Sequence, residues 1–202
     1  MNESRLWINT THEWSATVDT EHLAAVRESA SRLAPGGLLH LICEVLAYAD
    51  DEAETLRRQG HCLVQLHKDG SVSIADDGRG TDTRFDEFGV PVRKPVMATK
   101  DLRFFDAVTP PTLPDGHPRR GLSVVDALSS WLTHTNRRQN GAWTQRYERG
   151  LPVTELTHVS GTDDTGTTVR FLPARHLVHP NSASAVTVRA VAHFPHLHVD
   201  VK

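Results

Sequence analysis

Apolar residues recur at intervals of three and four in two stretches near the start of the chain. Leu23, Val26, Ala30 and Leu33 do so between Glu21 and Leu33, and Pro35-Gly36-Gly37 breaks the run. A stronger helical pattern runs from Leu38 to Arg58. Leu38, Leu41, Ile42, Val45, Ala49 and Leu56 form its buried stripe, and Glu44, Tyr48, Asp51 and Glu52 occupy the opposite side. The period then falls to two. Leu63–His67 and Ser71–Ala75 flank Lys68-Asp69-Gly70 and predict a hairpin in which Gly70 supplies a positive φ. From Thr81 to Arg120 the chain is loop-rich and carries Pro91, Pro95, Pro110, Pro111, Pro114 and Pro118. The pattern next predicts a helix over Gly121–Leu132, with Leu122, Val125, Leu128 and Leu132 on one side. Strands follow over Leu132–Arg138 and Trp143–Arg149, joined at Asn140-Gly141, and over Thr167–Leu172 after the turn Asp163-Asp164-Thr165-Gly166. A helix over Ala183–His193 and a strand over His196–Val201 complete the series. Helices mixed with antiparallel hairpins predict an α+β fold, with helices on one face of a sheet.

The 202 residues suit one domain with a small appendage and are enough to bury a core. The 22 basic and 25 acidic residues give a net charge of −3, so the chain lacks the broad positive stripe of a protein that grips DNA by its phosphates. No apolar run reaches the ~20 residues of a membrane span. The first residues, Met1-Asn2-Glu3-Ser4-Arg5, lack the apolar centre of a secretion signal. The two cysteines, Cys43 and Cys62, form no disulfide framework or zinc motif, so a reduced cytoplasmic setting is expected. His193, His196 and His198 cluster near the end, but no cysteine or acid joins them in a recognised metal spacing, and no metal site is assigned.

Candidate chemistry concentrates in Asp76-Asp77-Gly78-Arg79-Gly80, which follows the strand Val72-Ser73-Ile74-Ala75. A carboxylate at a strand end accepts a hydrogen bond from a flat ligand's amino group, and closely spaced glycines let backbone approach it. An aspartate beside glycine is also an ordinary turn residue. Glu44, upstream on an amphipathic helix, is the second acid. Together the two suggest a nucleotide pocket.

Ordered matches then connect the chain to a family. They are Leu66-His67-Lys68-Asp69-Gly70-Ser71-Val72-Ser73, Asp76-Asp77-Gly78-Arg79-Gly80, Leu122-Ser123-Val124-Val125-Asp126-Ala127-Leu128-Ser129, Tyr147-Glu148-Arg149-Gly150-Leu151-Pro152-Val153 and Gly166-Thr167-Thr168-Val169-Arg170-Phe171. The stretch from about Glu21 to Val201 resembles the amino-terminal ATPase domain of the DNA gyrase B protein and of topoisomerase IV, in the group that includes heat-shock-90, histidine-kinase and mismatch-repair ATPases. The resemblance implies the Bergerat fold, a two-layer sandwich of a mixed, mostly antiparallel sheet with helices on one face and ATP held between the layers. It divides the chain into an arm at 1–20 and an ATP-binding domain at 21–202, with a divergent lid loop at about 81–120.

The resemblance assigns roles residue by residue. Asp76 matches the acid that receives the adenine amino group. Gly78 and Gly80 match the glycines under the ring, and Thr167 matches the threonine that works with the acid and a water. Glu44 matches the catalytic base that orients water toward the γ-phosphate, where an acceptor is needed within about 3 Å. A single solvated glutamate on a helix face is the plainer account. Arg79 and Glu52 match a salt bridge at the cleft edge; as exposed charges they are worth ~0–1 kcal/mol.

The pattern also breaks. Tyr48 replaces the family's magnesium-binding asparagine, and a neutral tyrosine hydroxyl is a poor magnesium ligand. Its ring either occupies the phosphate region or stacks on something flat, and Asp51 offers a water-mediated rescue for the metal. The glycine-rich phosphate loop becomes Gly116-His117-Pro118-Arg119-Arg120-Gly121. The outer glycines fit, Pro118 removes a donor N–H, and Arg119 and Arg120 either grip phosphate by their side chains or form a solvated basic loop. Thr81-Asp82 makes the adenine wall more polar. No transducer, toprim or DNA-cleaving part follows, so the expectation is a stand-alone domain rather than a complete topoisomerase. The resemblance therefore implies an ATP- or ADP-binding domain with weak or absent hydrolysis and impaired Mg²⁺ binding, alone or as a homodimer. The alternative is a pseudo-ATPase that lends its cleft or surface to a protein partner or another small molecule.

Overall fold

A computed structural model describes residues 18–81, 84–92, 95–139, 141–160, 164–178 and 184–202. Most of the expected arm, Asp82, Asn140, Asp163 and the first residue of the last expected helix lie outside these residues. The helices are α1 (Thr20–Glu28), α2 (Ala30–Leu33), α3 (Leu38–Thr55), α4 (Leu122–Ala127) and α5 (Ala185–Val191). The strands are β1 (Gly60–Leu66), β2 (Val72–Asp76), β3 (Arg84–Phe85), β4 (Pro91–Val92), β5 (Ser129–Arg138), β6 (Gly141–Glu148), β7 (Leu151–Pro152), β8 (Thr157–His158), β9 (Gly166–Pro173) and β10 (Leu197–Val201).

The main sheet runs in the order β10-β1-β2-β9-β5-β6-β7, with β8 beside β6, and β3 and β4 form a separate hairpin. Its pairings are antiparallel except β1 with β10. This is the expected α+β fold with a mixed, mostly antiparallel sheet. Alternation decides its inner face: Cys62 and Val64 of β1, Val72 and Ile74 of β2, Val169 and Phe171 of β9, Leu132 of β5 and Tyr147 of β6 are buried. They meet Leu38, Leu41, Ile42, Val45, Leu46, Ala49 and Ala53 of α3, and Val124, Val125 and Ala127 of α4, in one core. Each fully buried Leu or Ile there contributes about 1.5–3 kcal/mol. No helix among the described residues is long and apolar enough to cross a membrane.

Three sequence boundaries move. The first helix is broken at Ser29, so the Glu21–Leu33 pattern forms α1 and α2. α3 stops at Thr55, and Arg57 takes a left-handed φ of 51°. The helix expected over Gly121–Leu132 ends at Ala127. Leu128 gives its carbonyl to the Ala174 amide at 2.9 Å, and from Ser129 onward the chain pairs with β9 and β6. Trp131, Thr133 and Thr135 in that segment favour the strand, and cross-strand pairing overrides the apolar spacing.

Candidate functional site

α3 lines one side of the site from Glu44 to Glu52, a rise of about 12 Å along the helix. At the Glu52 end, β2 delivers Asp76. Its Oδ1 accepts the Gly78 amide at 2.9 Å and the Thr167 amide at 3.1 Å, which ties β2, the following turn and β9 to one oxygen. Burial raises the Asp76 pKa; the two amides pull the other way without cancelling it. The glycines here answer to space. A Cβ built at Gly78 would stand 2.9 Å from both Asp76 Oδ1 and Glu52 Cγ, and one at Gly80 would stand 2.2 Å from the Arg137 carbonyl oxygen. Gly80 also has a φ of +74°. Arg79 grips Glu52 through Nε–Oε1 at 2.7 Å and Nη2–Oε2 at 2.9 Å. Thr81 is held by Asn136, whose side-chain oxygen takes the Thr81 amide and whose Nδ2 donates to the Thr81 carbonyl at 2.7 Å.

At the other end Glu44 is fully buried. Its carboxylate accepts the backbone amides of Arg120 and of Gly121, the latter at 2.9 Å. His40, one turn earlier on α3, places Nε2 3.5 Å from Glu44 Oε1 and Nδ1 2.7 Å from Asp115 Oδ2. Burial depresses the His40 pKa, but the hydrogen bond to Asp115 and then the closeness of Glu44 outweigh it and raise it to about 9. Asp115 sits in a tight turn closed by Leu113 N to His117 O at 2.8 Å, where Gly116 has a φ of 84°. Nothing would meet a Cβ at Gly116, so conformation rather than room calls for glycine there. At Gly121 both apply: φ is +107° and a Cβ would lie 2.9 Å from that of Asp101.

Between the two ends the cleft is filled. Tyr48 donates its hydroxyl to Asp101, which also takes Arg103 Nε at 3.0 Å and Nη2 at 2.8 Å. Burial, then Asp101, drive the Tyr48 pKa upward. Arg119 is 5% exposed, lies 4.0 Å from the Phe104 ring centre and 4.7 Å from that of Tyr48, and forms a bidentate pair with Asp51. Arg120 donates from Nη1 to the Phe105 carbonyl at 2.8 Å. A buried, sandwiched Arg119 excludes the solvated basic loop; the segment from Asp101 to Gly121 folds back onto α3.

The DNA gyrase B protein of Archaeoglobus fulgidus is 36% identical over 170 residues, which is 78% of this chain and 26% of that protein. The B component of DNA topoisomerase 4 from Bacillus subtilis is 36% identical over 139 residues, 68% of this chain and 21% of the relative. The chain is a relative of the gyrase-B-type ATPase domain. The DNA gyrase B protein of Thermotoga maritima is similar in the same degree, at 38% over 141 residues, covering 68% of this chain and 22% of that protein. The chain thus spans about a quarter of the length of the curated relatives it matches. No protein-family model matches it.

In this gyrase-B-type domain, Asp76, Gly78, Gly80, Thr167 and the Arg79–Glu52 pair come together at one end, and Glu44, Arg120 and Gly121 at the other. Thr167 reaches Asp76 through its backbone amide. The magnesium expected of such domains does not fit the side chains in this arrangement. Tyr48 donates rather than accepts, both Asp51 oxygens face Arg119, and both Glu44 oxygens face backbone amides. Arg119 pairs with both oxygens of the part-exposed Asp51 and so competes with the water-mediated rescue expected there. Sequence reading misses His40, Asp101, Arg103, Asp115 and Asn136. His40 is within its reach, four residues before Glu44 on the same helix. Asp101, Arg103 and Asp115 come from a loop with no period to announce which side chains turn inward. In the sequence Gly166 figures as a turn residue and as the head of a matched run, with no site role; a Cβ there would stand 2.0 Å from the Asp76 carbonyl oxygen.

Proposed function

We propose that this gyrase-B-type domain binds an adenine nucleotide, ATP or ADP, at the Asp76 end of the cleft and hydrolyses ATP weakly or not at all. The observation that carries this reading is the polarity of Asp76: its described hydrogen bonds both enter Oδ1, which leaves Oδ2 to receive an exocyclic amino group. Gly78 and Gly80 keep the backbone low beside it, and Thr167 borders it. Weak turnover follows from Glu44. An acceptor that orients water must be open to that water, and Glu44 here is fully buried with both oxygens against amides of the segment that the family uses against phosphate. Hydrolysis therefore requires that segment to leave Glu44, and Tyr48 offers no replacement for the metal ligand.

Calorimetric titration of the chain with ADP and with ATP, each with and without Mg²⁺, tests the reading beside Asp76→Asn. Asparagine preserves the two amide contacts at Oδ1 but points an NH₂ donor at the adenine donor. The expected result is binding in the parent, little dependence on Mg²⁺, and a loss of about 2–3 kcal/mol in the variant. Equal binding by parent and variant, or none by the parent, overturns it.

A second reading is favoured by the filled centre of the cleft. The Tyr48–Asp101 and Arg119–Asp51 contacts occupy the region between the two ends, which suits a pseudo-ATPase that offers its cleft or surface to a protein partner or a smaller, phosphate-free ligand. Titration with adenosine separates the two: binding of adenosine as tight as that of ADP supports the second reading.

A further inference from the structure

Three donor side chains outside that cleft stand together at the edge of the sheet. β1 and β10 run parallel, with His61 opposite His198. Asp200 lies two residues beyond His198 and so projects from the same face. His61 Nε2 is 2.9 Å from Asp200 Oδ2, and His198 Nε2 is 3.7 Å from Asp200 Oδ1. The two imidazoles stack with centres 5.6 Å apart and planes 26° from parallel. One ligand atom from each residue lies within 4.8 Å of the other two, and about half or more of each side chain is open to solvent, at 51%, 64% and 51%.

We propose that His61, His198 and Asp200 form a binding site for a divalent first-row transition ion of the Zn²⁺ class. Two imidazole nitrogens and one carboxylate oxygen are the donor set that suits Zn²⁺, Ni²⁺ or Cu²⁺, whereas Mg²⁺ and Ca²⁺ favour oxygen alone. The backbone fixes the arrangement. Hydrogen-bonded neighbours about 4.8 Å apart carry the two histidines, and the pleat returns Asp200 to their side. A Zn²⁺ ion with bonds of about 2.0–2.2 Å needs the three atoms to draw together by rotation of side chains that solvent leaves free to turn. Three protein ligands leave a coordination position for water or for a donor from another molecule. The site differs from the histidine cluster visible in the sequence. His196 gives its backbone amide to Asp50 and places Nε2 3.8 Å from Glu54, and His193 follows α5, so neither joins the trio. The plainer account is a surface hydrogen bond between His61 and Asp200, and the test separates the two.

The full chain, free of any histidine tag, is titrated calorimetrically with ZnCl₂, and its melting temperature is followed with and without Zn²⁺. The expected result is one saturable equivalent and a melting temperature that rises with Zn²⁺. His61→Ala and His198→Ala each weaken binding by roughly tenfold or more and abolish the rise, while His176→Ala, an exposed histidine elsewhere, leaves both unchanged. No saturable binding below about 1 mM, or binding that survives both histidine variants, overturns the assignment. Should those variants fail to fold, the paramagnetic resonance spectrum of the Cu²⁺-loaded parent decides: hyperfine structure from two nitrogen ligands supports the site, and its absence overturns it.

Discussion

Arg119 and Asp51 meet in a two-pronged ion pair, Nη1 to Oδ1 at 2.9 Å and Nη2 to Oδ2 at 2.8 Å. The planar guanidinium fits this geometry in a way that lysine does not, and its faces are covered by Phe104 and Tyr48. One pair thus fastens the loop before α4 to the helix that carries Glu44. Arg119→Ala removes the pair and both ring contacts. Asp51 is still 38% exposed, so the expected loss is about 1–3 kcal/mol, below that of a fully enclosed pair. Arg119→Lys is expected to fall between parent and alanine. Urea midpoints measure both, and a midpoint unchanged in Arg119→Ala would show that the pair does not hold the loop in solution.

Tyr48→Asn addresses the filled cleft. The substitution restores the amide that gyrase-B-type domains are expected to carry there, removes the ring under Arg119, and frees Asp101 from the phenol. Under the proposed function, ADP affinity rises by about tenfold, or 1.4 kcal/mol, and Mg²⁺ begins to strengthen ATP binding. The same calorimetric titration reads the change. Unaltered affinity removes the steric argument for Tyr48.

His40 gives the chain a distinctive alkaline response. Its folded pKa, about 9, lies above the ordinary histidine value of 6.5. A raised histidine contributes stability in full below the unfolded pKa and loses it as pH climbs through the folded one. Unfolding free energy is therefore expected to fall between pH 6.5 and 9, by at most on the order of 3 kcal/mol. In Asp115→Asn the decline flattens, because His40 loses its nearest acid. Urea unfolding at a series of pH values checks both slopes.

Asp126 should show a related dependence from a penalty. It is fully buried on α4, neither carboxylate oxygen makes a hydrogen bond of good geometry, and burial pushes its pKa well up against the pull of the Gly150 amide. A folded pKa above the unfolded one means that stability erodes as pH rises from the ordinary carboxylate range. Asp126→Asn should accordingly stabilise the chain at about pH 7 by about 1–3 kcal/mol, with the gain vanishing near about pH 4. A variant that melts below the parent at neutral pH contradicts this.

Local signals in the sequence carry the parts of this fold that local physics builds. The β1–β2 hairpin is legible because alternation meets a glycine at a position with a φ of 82°. The Asp76–Gly80 run is legible because an acid at a strand end needs small neighbours, and α3 because its apolar stripe is long. What escapes depends on partners far along the chain. Leu128 and Leu132 keep helical spacing, yet β9 draws the segment from Ser129 into the sheet. Asp101, Asp115 and Asn136 look like loop or strand polar residues until Tyr48, His40 and Thr81 are placed against them. The inward commitment of Arg119 is hidden for the same reason, since its aromatic and acidic neighbours come from α3 and from the loop near Phe104.

The parallel pairing of β1 with β10 carries a kinetic consequence. During translation, Gly60 leaves the ribosome long before its neighbour Leu197 exists. At about 5–20 residues per second the interval is roughly 7–27 s. Throughout it the nascent polypeptide displays an unpaired strand margin, open to chaperones and to mispairing. Because that closure is so remote along the backbone, it is expected to be the slowest step of assembly.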